Sequence, residues 1–79
     1  MKRLTGKDLQ KLEKIKREGA KFVYKYIRKH FSSWYVRIFS IDSLLESKEL
    51  PSYWYKGKGD CTESQALKRG YLSLDRILL

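Results

Sequence analysis

Seven basic residues, Lys7, Lys11, Lys14, Arg17, Lys21, Lys25 and Arg28, recur at intervals of three or four along the first part of the chain. On a helix such intervals stack charges above one another on one side. A one-sided row of ammonium and guanidinium groups is chemistry for phosphates. On that side only Glu18 interrupts the row, and Arg3 and Lys29 extend it. A face kept merely for solubility mixes signs to form i,i+4 pairs. We therefore expect contact with a polyanion.

A second group lies in Tyr53-Trp54-Tyr55-Lys56-Gly57-Lys58-Gly59. Rings can stack on bases while lysines meet phosphates and glycines allow close backbone approach. Tyr53, Tyr55, Lys56 and Lys58, together with Arg37, are expected as secondary contacts. The plainer alternative is a strand whose rings fill the core of a small protein and whose turn needs glycine.

Other chemistries find little support. His30 is the only histidine and Cys61 the only cysteine, so a closed zinc site would have to be completed by carboxylates. No Ser, His and acid spacing suggests a triad, and Gly57 with Gly59 makes neither a P-loop nor a dinucleotide fingerprint. Asp60, Glu63 and Asp75 have no metal-binding pattern. We expect no catalytic residue, no metal and no cofactor. His30 is expected at the edge of the core and Cys61 as a small buried filler.

The elements that would carry these residues follow from periodicity and punctuation. Leu9, Leu12, Ile15, Gly19, Phe22, Val23, Tyr26 and Ile27 fall within one arc at the helical period. This predicts a single long basic amphipathic helix from Thr5 to about His30, with Thr5 and Asp8 as a capping box and Gly19 as a weak point inside it. Lys16 sits at the edge of the apolar arc, with its stem over the core. Trp34–Ser40 reads as a strand, with Trp34, Val36 and Ile38 on one face and Tyr35, Arg37 and Phe39 on the other. Ser40 or Asp42 caps a short helix with Leu44 and Leu45 inward, ending before Pro51.

Ser52–Lys56 is a second candidate strand. Thr62 caps a helix over Glu63–Arg69, with Gly70 just past its end. From Tyr71 onward the chain reads either as a strand to Leu74 or as a short helix capped by Ser73. Ala66 and Gly70 have the spacing of a helix-turn-helix, but the apolar residues beyond them are out of register for one.

At 79 residues with 42% hydrophobic and 14% aromatic content, the chain makes one small domain, not a disordered one. A domain this size buries only about 60% of its unfolded surface. The expected fold is α+β: the long N-terminal helix packed on a small antiparallel sheet, with short additional helices. The lone Cys61 makes no internal disulfide, which with no signal peptide favours a reducing, cytoplasmic setting. No apolar run approaches the roughly 20 residues of a membrane span.

The formal net charge is +9, with twelve Lys/Arg against three Asp/Glu in residues 1–40 and six of each in residues 41–79. The expected function is therefore a non-enzymatic DNA- or RNA-binding protein that holds the phosphate backbone. The alternative partner is an acidic protein surface. In that case the chain would be a phage or mobile-element accessory protein that binds, inhibits or recruits a larger host protein or nucleoprotein complex. A homodimer is compatible with either reading. Association of the basic amphipathic helix with an anionic membrane surface is a third class, disfavoured because the apolar arc is needed to close the core.

Overall fold

A computed structural model describes residues 2–50 and 59–78. The chain forms α1 (Gly6–Arg17), which starts where expected. The Asp8 amide donates to Thr5 Oγ1 at 3.2 Å and the Thr5 amide donates to the Asp8 carboxylate at 3.0 Å. The expected helix to His30, however, stops after twelve residues. Gly19 adopts φ +106°, the Gly19 amide donates to the Lys16 carbonyl and the Ala20 amide to the Ile15 carbonyl, both at 3.0 Å. This pair of bonds is a Schellman ending, which satisfies the last carbonyls and turns the chain off the helix axis.

The chain then runs as β2 (Phe22–His30) and returns as β3 (Ser33–Ser40). Phe22, Val23, Tyr24, Tyr26 and Ile27 are residues that fit a pleated, packed surface better than a helix. Their helical spacing also fits a strand with one bulge. That bulge is at Ile27: Tyr26 pairs with Val36, and Arg28 pairs with Tyr35.

Next come α2 (Ile41–Ser47), capped by Ser40, and the two-residue β4 (Glu49–Leu50), which pairs antiparallel with β1 (Lys2–Arg3). The described part resumes with Gly59 and continues through β5 (Cys61–Thr62), α3 (Glu63–Lys68), β6 (Leu72–Ser73) and the one-turn α4 (Leu74–Ile77). Thr62 and Gln65 make a second capping box, and Gly70, at φ +82°, ends α3 as Gly19 ends α1. The ambiguous tail is both things in turn: a two-residue strand, then a helical turn. With β6 between α3 and a single-turn α4, no helix-turn-helix pair forms.

The main sheet has the order β5-β3-β2-β6. It is mixed rather than purely antiparallel, because β6 lies parallel to β2. The cause is topological. β5 is antiparallel to β3, which is antiparallel to β2, so β5 points along β2. The α3 crossover then delivers β6 in the same direction. The second candidate strand, Ser52–Lys56, lies outside the described residues. Among the described residues, the neighbours of β3 are β2 and β5.

Alternation on β2 and β3 separates two apolar clusters. On the front face, Val23 is buried with Leu12 of α1, Ile41 and Leu44 of α2, Leu74 of α4, and Leu4 and Leu50, with Phe39 and Leu45 packed against them. On the back face, Tyr24 and Val36 are buried with Cys61 and Ala66 under α3, with Tyr26, Ile38 and Tyr71 around them. The segment entering β5 lies tight against the sheet. A Cβ on Gly59 would come within 2.7 Å of the Val36 carbonyl oxygen, so only glycine fits there. The Asp60 amide donates to that carbonyl at 2.8 Å, and Asp60 Oδ2 accepts from the Ile38 amide at 2.9 Å.

Candidate nucleic-acid interface

Because α1 ends at Arg17, the single basic row divides among three places. Lys7, Lys11, Lys14 and Arg17 remain on α1, opposite the side that carries Leu9, Leu12 and Ile15 into the core. Lys7, Lys14 and Arg17 are exposed, and Lys11 is half-buried. Lys21 is exposed in the connector from α1 to β2, where its carbonyl accepts from the Ile41 amide at 3.0 Å. Lys25 and Arg28 are on β2.

The strand environment treats these last two differently. Lys25 lies on the front face opposite Arg37 of β3, and both are largely enclosed, at 21% side-chain exposure. Lys25 is hydrogen-bonded to Asp75 of α4, and Asp60 stands 3.9 Å from Arg37 Nε. Each thus has an acid beside it, so neither is an outward-facing phosphate contact. Arg28 is exposed. Its guanidinium lies 5.8 Å from the centroid of the Tyr35 ring, a cation–π contact that aims it across the hairpin. Tyr53, Tyr55, Lys56 and Lys58 lie outside the described residues.

The hairpin brings forward residues that a helix over this stretch would not single out. Among the described residues, neighbouring strands pair only near its base: β6 reaches Val23 and Tyr24, and β5 reaches Tyr35 and Val36. Beyond them the chain is a two-stranded arm in which residues 28–34 are all exposed. The Ile27 bulge reverses the alternation on β2. Lys25 and Val23 face front before it. Arg28 and His30 face front after it, since they pair with Tyr35 and Ser33, while Lys29 faces back opposite Trp34. Without the bulge, Arg28 would share the back face with Tyr26.

His30 is therefore not at the edge of the core. It is exposed on the arm, with its ring 4.4 Å from that of Phe31 and 6.4 Å from that of Tyr35. Trp34 is 40% exposed on the back face, and its ring stands 5.0 Å from that of Tyr26.

Phe31 occupies the first position of the two-residue turn, between the paired His30 and Ser33. It has φ +55° and is 89% exposed. Such turns take glycine at that position, and a left-handed φ costs an L-residue about 1–2 kcal/mol. The signal that could have located this arm was local: two β-rich runs separated by Phe31-Ser32.

The acids are mostly turned to internal use. Asp8 caps α1, Asp42 pairs with Lys16 at 2.5 Å across a cleft between α1 and α2, Asp60 binds the Ile38 amide, and Asp75 holds Lys25. Glu63 Oε2 accepts a hydrogen bond at 2.8 Å from the Tyr24 hydroxyl and another from that of Tyr26. Among the described residues, Lys7, Lys14, Arg17, Lys21, Arg28 and Lys29 make no salt bridge.

Among the described residues, no three His, Cys, Asp or Glu side chains gather where they could hold a metal ion, and no helix is long and apolar enough to cross a membrane. Comparison with protein-family models, curated proteins and solved structures finds no match.

Proposed function

We propose that this protein binds nucleic acid without transforming it, holding phosphates with Lys7, Lys14 and Arg17 of α1, Lys21 of the connector, and Arg28 and Lys29 of the hairpin arm. The observation that carries this reading is the division of charge. Five of the nine acids are engaged in hydrogen bonds or ion pairs within the fold or at its surface, while these six bases are exposed and make no salt bridge among the described residues. The fold thus concentrates on its outside an excess that the sequence already carries. α1 packs on the front of the sheet with its basic side outward, and Arg28 projects from the same side of the arm. One polyanion can therefore meet both. Contacts of this kind supply affinity and register rather than base choice.

Fluorescence anisotropy with labelled DNA and RNA across a salt series tests the proposal. Binding should weaken steeply with salt. Replacing Lys7 and Lys14 together with Glu should lower the slope of log K against log salt by about two contacts' worth, each near 0.9 on a duplex and 0.7 on a single strand. If the wild-type protein binds neither DNA nor RNA at low salt, the proposal fails.

A further inference from the structure

Phe31 does nothing for the fold that glycine would not do better. Its backbone sits at φ +55°, and its side chain is 89% exposed, with the imidazole of His30 as its ring neighbour at 4.4 Å. A bulky residue held where the turn prefers glycine points to use of the side chain rather than to packing. Its surroundings say what kind of use. Arg28 and His30 project forward just behind it, Lys29 projects backward, and Trp34 adds a second exposed ring on the back face. An aromatic tip flanked by a cation on each face suits a ligand with flat apolar faces joined by anionic links, and single-stranded nucleic acid is such a ligand. In a duplex the base faces are covered by their neighbours, so an exposed ring has no face to stack on.

We propose that the hairpin arm is a binding site for single-stranded nucleic acid, in which Phe31 stacks on an unpaired base while Arg28 and Lys29 hold the flanking phosphates. This rests on the nucleic-acid reading and goes beyond it by naming an unpaired strand as the ligand. The Ile27 bulge contributes to the site. It places Arg28 on the front and Lys29 on the back, so cations flank the tip on both sides instead of crowding one.

The decisive comparison uses the full chain and its Phe31→Gly variant, titrated against labelled oligothymidylate, the same oligomer with abasic positions, and a duplex of equal length. Phe31→Gly should bind oligothymidylate about tenfold or more weakly, with the salt slope and duplex affinity unchanged, and should melt at a higher temperature because the turn is relieved. Abasic positions should weaken wild-type binding and leave the variant's binding unchanged.

If the variant binds oligothymidylate as tightly as wild type, the stacking site is wrong, while the phosphate reading survives on its salt dependence. If the wild type prefers the duplex and Phe31 makes no difference there, the stacking site is wrong in the same way. If wild type binds no oligonucleotide at low salt, both proposals fall. Phe31-dependent binding to phosphatidylserine vesicles in that case would make the tip a membrane contact and overturn the assignment.

Discussion

Tyr24 and Tyr26 both donate to one oxygen of Glu63, and this small cluster joins α3 to the back of the sheet. Burial pushes the Tyr24 phenol well above the ordinary tyrosine value, with the hydrogen bond and the negative charge of Glu63 adding to it. For Tyr26 the hydrogen bond to Glu63 is the larger cause, and burial follows. In both, the folded chain keeps a proton that the unfolded chain gives up near pH 10. Their contribution to stability is therefore complete below about pH 10 and declines as pH rises above it. Urea midpoints at pH 8 and pH 11 measure this. The midpoint should fall between them, and it should fall less when both tyrosines are replaced by phenylalanine. Lysine titration is common to both proteins and cancels in the difference. Equal falls would show that the two phenols carry no linkage.

The elements are bounded by their glycines. Gly19 and Gly70 occupy equivalent positions, each followed by a residue whose amide reaches back to close the last turn. No atom would obstruct a Cβ at Gly19, yet its φ of +106° is one that L-residues rarely adopt. Gly19→Ala should therefore cost about 1–2 kcal/mol. Gly6, at the start of α1, has open space and no positive φ, so Gly6→Ala should be neutral or stabilising, by up to about 1 kcal/mol. In a domain of this size each kcal/mol moves the melting temperature by about 4–8 °C, so thermal melts resolve the two directions. A Gly19→Ala protein as stable as wild type would mean that α1 simply continues through position 19, as its apolar spacing suggests.

At the scale of the whole molecule, β2 is the shared wall. Val23 faces one apolar cluster and Tyr24 the other, and both are essentially buried, at 0% and 2% exposure. Two clusters meeting at consecutive residues of one strand should melt together. Val23→Ala should cost about 2 kcal/mol, and Ala66→Val, forced into the fully buried back cluster, about 1–3 kcal/mol. Each should shift one transition that circular dichroism and tryptophan fluorescence report at the same midpoint. Separate midpoints would mean that the helices on the front and α3 on the back are independent units. The same architecture explains the surface charge: internal contacts take up Asp60, Glu63 and Asp75, leaving the exposed bases to set the field outside.

Local rules were enough for much of this. Thr5-Gly6-Lys7-Asp8 and Thr62-Glu63-Ser64-Gln65 identify two helix starts because the bonds that make a cap lie within four residues. Gly70 identifies an end for the same reason. The division of Trp34–Ser40 into two faces is also set locally, as is the burial of Cys61 and the concentration of positive charge in the first half. Tertiary structure decided what sequence spacing leaves degenerate. Phe22, Val23, Tyr26 and Ile27 satisfy a helical period and, with one bulge, a strand. Only pairing with β3 and the presence of a cluster on each side of β2 select the strand. That choice broke the basic row, set acids from far along the chain beside Lys25 and Arg37, and raised Arg28, Lys29, His30 and Phe31 on an exposed arm. The parallel β6 was equally out of reach, since its direction comes from the α3 crossover and not from any residue within the strand.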